Sequence, residues 1–177
     1  VLERLVHTSG DFSIQSLLNF SKHACDHSIK AIISGAPILT DTDMAAVAIN
    51  AMAKNGHGNL VFSAKKWVKD DIEYSSTKTA YGIEKGWLEL SKLYCENLSP
   101  IVVFGSSPTG LEKLLDILEE SNQQPSLIVG MPVGFIGVEK SKKRLIESDH
   151  NYIVLESTRG GAAMAAAAVN ALLRSTF

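Results

Sequence analysis

His7 is the residue in this chain whose type and setting best suit proton transfer. It follows the apolar pair Leu5-Val6 and precedes Thr8-Ser9-Gly10-Asp11, a polar turn around a glycine. An imidazole exchanges a proton near neutral pH, so a histidine beside such a turn is a candidate general acid or base. Taken alone, a single histidine at a helix end is more often a surface residue than a catalytic one. Other candidates stand in five turns: Thr40-Asp41-Thr42-Asp43, Ser63, Gly105-Ser106-Ser107-Pro108-Thr109, Gly130-Met131-Pro132-Val133-Gly134 and Glu156-Ser157-Thr158-Arg159-Gly160-Gly161. Glycines and hydroxyls before a helix leave N–H groups suited to anions; they also simply turn the chain. Gly105 and Gly110 have phosphate-loop spacing, but Leu111-Glu112 replace the lysine and hydroxyl that grip a phosphate. No G-x-G-x-x-G follows the first strand, which counts against a dinucleotide site. His23 and His27 would share a helix face, as zinc ligands can, with Cys25 and Asp26 between them. No third ligand accompanies them, a solvated helix face is the plainer reading, and no metal site is expected. Asp70-Asp71 and Lys65-Lys66 read as surface charge, and His57 as a turn residue.

The elements that must carry these turns are short apolar runs alternating with longer helical patterns. Residues 101–104 and 127–129 are the clearest strands, each opened by a proline and closed near a glycine; 38–40, 60–62 and 152–155 are weaker ones. Continuous β-branched runs of this kind suit strands covered on both faces, as in a parallel sheet. Helical spacing predicts helices over 43–54, 77–97, 109–120, 139–148 and 160–174. Of these, 139–148 reads as charged and exposed, and 160–174 as a small-residue helix able to pack closely. The expectation is a three-layer α/β domain, a mostly parallel five-stranded sheet flanked by helices. In such sheets ligands bind beyond the carboxyl ends of the strands, where the five turns lie.

Composition narrows the classes. At ~150 residues per domain, 177 residues make one domain, 1–177. A net charge of −2 argues against a general nucleic-acid binder. Cys25 and Cys95 are too few for a disulfide framework and read as two reduced thiols. No run reaches the ~18 apolar residues of a membrane span, and no secretory signal opens the sequence. A soluble, cytoplasmic protein is expected, with no nucleic-acid or membrane partner. The residues alone reach an α/β protein with an anion-friendly crevice and one proton-transfer candidate, and a domain binding an unrelated small anionic metabolite stays open.

Several segments resemble the precorrin-8X methylmutase (precorrin isomerase) family. They are Arg4-Leu5-Val6-His7-Thr8, Gly35-Ala36-Pro37-Ile38-Leu39-Thr40-Asp41 with Met44, and Pro108-Thr109-Gly110-Leu111. The strongest are the stretches from Gly130-Met131-Pro132 to Glu139-Lys140-Ser141-Lys142 and from Gly160-Gly161 to Asn170-Ala171-Leu172, in the family's order across nearly the whole chain. The resemblance implies a cobalamin-pathway isomerase that moves a methyl group from carbon 11 to carbon 12 of a corrinoid macrocycle, giving hydrogenobyrinic acid or its cobalt form. It implies no cofactor, since the methyl is already on the substrate, and a homodimer with its site near the subunit contact. His7 falls on the family's general acid. The implied substrate-binding residues are Ser9, Asp41, Thr77, Lys78, Ser106, Thr109, Gly134, Arg159, Gly160 and Gly161. Against the family pattern, Lys78 stands for an arginine, Ala162 for a serine and Thr158 for a basic residue, and only six residues precede His7 where relatives have a longer N-terminal segment. A carrier that binds a corrinoid without turning it over is the alternative reading.

Overall fold

In the computed structural model, which describes residues 1–69, 73–93 and 98–177, all five expected strands form. They are β2 (Ile38–Thr40), β3 (Val61–Ser63), β4 (Ile101–Phe104), β5 (Leu127–Gly130) and β6 (Tyr152–Leu155). A sixth, β1 (Leu18–Phe20), runs antiparallel along the outer edge of β6, while every other pairing is parallel. Three half-buried residues are too short a stretch to show a strand period, so β1 has no sequence signal. The sheet order is β1-β6-β5-β4-β2-β3.

Seven helices cover the described sheet: α1 (Leu2–Ser9), α2 (Ala24–Ile33), α3 (Asp43–Asn55), α4 (Lys78–Leu93), α5 (Pro108–Glu119), α6 (Val138–Ile146) and α7 (Ala162–Arg174). The expected helix over 77–97 is described only as far as Leu93; Cys95 and Asp70-Asp71 lie outside the described residues. The continuous apolar strands are explained by two cores. Ile101, Val103, Leu127, Val129, Ile153 and Leu155 face α1, α2, α3 and α7. Their alternates Val102, Phe104, Ile128, Tyr152 and Val154 face α4, α5 and α6. Both faces are therefore buried, as a parallel sheet requires. Among the described residues no helix is long and apolar enough to cross a membrane.

The crossovers after β2 and β4 run on opposite faces, through α3 and α5, and β2 and β4 are neighbours. The crevice between their carboxyl ends is the switch point at which open α/β sheets bind ligands. Local chemistry builds its rim. Thr42 caps α3 by accepting the Ala45 N–H, and Ser107 caps α5 by accepting the Gly110 N–H, with Pro108 in the first turn.

α6 departs from expectation. It is charged, but Val138, Ser141, Lys142 and Leu145 are all buried, and Lys142 is only 1% exposed. Those residues fall at i, i+3, i+4 and i+7, a helical stripe that the surrounding Lys and Glu residues disguise.

Candidate active site

The switch-point crevice is closed by Asp41. Its side chain is 4% exposed, and Oδ2 accepts three backbone N–H groups, from Gly105 at 3.0 Å, Ser106 at 2.6 Å and Ser107 at 2.8 Å. Burial pushes the carboxyl above the usual carboxylate range, while the three donors pull it down. Asp41, expected among the substrate-binding residues, thus turns Oδ2 into the fold and shapes the 105–107 turn. It also lines a cleft of about 340 Å3 with Thr42, Asp43, Ser63, Lys65, Lys78 and Thr79. Thr77, just before α4, shares a 2.9 Å hydroxyl hydrogen bond with Thr109. Thr109 lines a second cleft, of about 390 Å3, with Ser76, Lys113, Ile136 and Lys140. Ser106 is exposed at the rim. Asp41, Thr77, Lys78, Ser106 and Thr109 therefore form one group.

The second group is built on two loops laced together. The Gly161 N–H donates to the Met131 carbonyl at 2.9 Å, and the Gly134 N–H to the Thr158 carbonyl at 3.0 Å. Gly160 has φ +155, and a Cβ there would run into the Met131 carbonyl. Its lack of a side chain answers to packing within the protein, whereas Gly161 (φ +120) borders open space. Gly160→Ala should accordingly lower stability by ~2–4 kcal/mol, combining overpacking with backbone strain, and Gly161→Ala by only ~1–2 kcal/mol. Thermal denaturation of the two variants side by side checks the order. In the β5–α6 loop, Phe135 and Ile136 are 92% and 91% exposed, flanked by Gly134 and Gly137 in left-handed conformations.

His7 sits in the last turn of α1, exposed, with the helix ended by left-handed Gly10. Leu5 anchors this helix in the core beside α7. The turn that follows is tied down: the Ser9 hydroxyl donates to the Val6 carbonyl and accepts the Asp11 N–H. Asp11 then pairs with the Arg159 guanidinium, which also donates to Ser13 Oγ at 2.9 Å. The guanidinium holds the Asp11 carboxyl down at about 2, so the pair outlasts all but strong acid. Arg159, expected to meet substrate, here joins the His7 turn to the glycine loop. His7 lines neither of the two clefts above.

His23 pairs with Asp26 at 3.5 Å on the exposed start of α2, and among the described residues no three or more His, Cys, Asp or Glu gather to hold a metal. Lys65 and Lys66 pair with Asp43 and Glu89, and His57 stacks on Phe177. Cys25 is a half-buried free thiol.

Lys142 was missed. Its Nζ donates to the carbonyls of Ser157 at 2.8 Å and Arg159 at 2.6 Å, inside the loop that carries Gly160 and Gly161.

The family model for precorrin-8X methylmutase matches residues 1–175. The chain is 32% identical to a precorrin-8X methylmutase of Pseudomonas aeruginosa, covering 96% of this chain and 80% of that one. It is 32% identical to a cobalt-precorrin-8 methylmutase of Salmonella typhimurium, covering 98% and 79%. A crystal structure of the precorrin-8X methylmutase of Thermus thermophilus superposes with a TM-score of 0.84 at 31% identity, covering 99% of this chain and 84% of that one.

Proposed function

The chain belongs to the precorrin-8X methylmutase family, and from that premise we propose that it moves a methyl group from carbon 11 to carbon 12 of precorrin-8X or cobalt-precorrin-8, with His7 as general acid. As a family member it is an isomerase of cobalamin biosynthesis. In the proposed reaction the carbon 11–methyl bond breaks as the carbon 12–methyl bond forms, a 1,5-sigmatropic shift within one molecule. His7 donates a proton to a macrocycle nitrogen, the protonated ring system is polarised toward migration, and the proton leaves afterwards. No atom is gained or lost.

The observation that carries the reading is the tie between the His7 turn and the glycine loop, made by Asp11, Ser13 and Arg159 at the carboxyl edge of the sheet. That tie brings the proton donor's helix to the edge where the family's matching segments converge. Phe135 and Ile136 offer apolar area to the face of a flat ring, and Lys78 carries charge of the sign its carboxylate arms need. Incubating the protein with each substrate and following the ring's visible spectrum tests the reading. Product bands should appear. Unchanged substrate, while a relative converts it in parallel, overturns it, and spectral binding without turnover leaves the carrier.

The proposal includes a homodimer. Its support is a stripe of exposed apolar residues on α3, Met44, Val47, Ala48 and Ala51, at i, i+3, i+4 and i+7. Val47 is 74% exposed, and α7, which packs on α3, also packs on the helix that bears His7. A Val47→Glu variant should sediment as a monomer where the native protein sediments as a dimer.

A further inference from the structure

The β6–α7 loop is held by an ion that the sequence hides. Ser157 takes a left-handed conformation, φ +63, and with it the carbonyls of Ser157 and Arg159 both bond one atom, the Lys142 ammonium. The carbonyl between them, of Thr158, is taken by the Gly134 N–H, and Gly160 is wedged against Met131. Three consecutive carbonyls of the loop are thus engaged, two of them by a lysine that is 1% exposed. A buried ammonium with no carboxylate bonded to it is costly, and its hydrogen bonds to the two carbonyls offset that cost. An apolar side chain at 142 would avoid the cost altogether, so the lysine's effect lies in what it holds.

We propose that Lys142 is a positioning residue that fixes the conformation in which the 157–161 loop meets the corrinoid, and thereby sets substrate affinity. This rests on the reading given above. Touching the loop from behind, the ammonium acts through Arg159, Gly160 and Gly161 and meets neither substrate nor reacting atoms.

The charge on Lys142 can be tested directly. Burial pushes its pKa down to about 8. The other charged groups around its cavity are Glu139 and Lys143 on α6, Glu147 just after it and Glu156 after β6; Glu112, Asp116 and Glu119 of neighbouring α5 are bonded to Arg144. As pH rises through about 8 the ammonium becomes an amine, its charge-assisted bonds weaken and the loop loosens.

The experiment measures KM and kcat between pH 6.5 and 9.5 for the native enzyme and Lys142→Met, with amide exchange on both. Native KM should climb above pH 8, and Lys142→Met should show a KM raised ~10-fold or more at pH 7, flat with pH, and kcat within ~3-fold. The Gly134 and Gly161 amides should exchange faster in the variant while those of β4 and β5 do not. Equal KM values for both proteins, with unchanged exchange at Gly134 and Gly161, overturn the proposal, as does a loss confined to kcat. Should Lys142→Met fail to fold, the native enzyme decides alone, a flat KM through pH 9.5 being the adverse result. If the native enzyme converts no substrate, the functional reading fails, and amide exchange still tests the clamp.

Discussion

Replacing His7 with alanine is expected to slow conversion of the precorrin-8 substrate by ~10²–10⁴-fold, the usual contribution of one positioned general acid. Stability should hardly move, because the side chain is exposed and α1 is anchored through Leu5. Surface substitutions of this kind usually change stability by no more than about 0.5 kcal/mol. The combination is diagnostic: a single-turnover rate that collapses while the melting temperature and spectral binding of the corrinoid stay at native values. A rate within about threefold of native would remove His7 from the chemistry. A fall in melting temperature that tracks the rate would mean that the substitution acted on the fold instead.

Asp41→Ala should have the largest effect on stability. It strips the acceptor from three backbone N–H groups at once. The Gly105 donor is buried and has no access to water, and such a group costs ~1–3 kcal/mol when left unpaired; the other two are half-buried and partly recoverable. A total of ~3–4 kcal/mol, or ~6–16 °C in melting temperature for a domain of this size, is expected. Asp41→Asn keeps one carbonyl acceptor and should cost less. The sign of the pH dependence separates the two proteins further. Because the folded carboxyl titrates above its ordinary value, the native protein has the stability linked to this group below pH 3.8 and loses it as pH rises through the folded pKa. The asparagine variant cannot ionise. The stability gap between native and Asp41→Asn should therefore narrow as pH climbs from about 4, by thermal denaturation across that range. A gap that widens would mean that the burial of Asp41 does not govern its charge.

Among the parallel strands β4 and β5 were the most legible because the physics behind them is local, with proline before, glycine after and β-branched residues between. The helices were legible from their stripes. β1 was not, since its three residues gain their structure from β6, 133 to 137 positions away, and carry no period of their own. The turns after the strands pointed to the right edge of the sheet, but their chemistry was only half readable. Asp41 and Arg159 looked like groups waiting for a ligand, and both are engaged by the protein, through partners far away in sequence that no spacing announces. Lys142 shows the opposite error. Its place on the buried stripe with Val138, Ser141 and Leu145 was visible, and the surrounding charge overrode it. Gly160 and Gly161 look alike as neighbours in sequence, and only their surroundings in space tell a packing glycine from an open one.

α1, the helix of His7, takes its place chiefly from α7, and β1 from β6. The earlier-synthesised α1 and β1 thus wait for the later α7 and β6. Until residues 162–174 are available, His7 rides on a single eight-residue helix, too short to persist unaided in water. A nascent chain would hold most of its sheet while the His7 helix still wandered, and that helix would settle abruptly once α7 had formed.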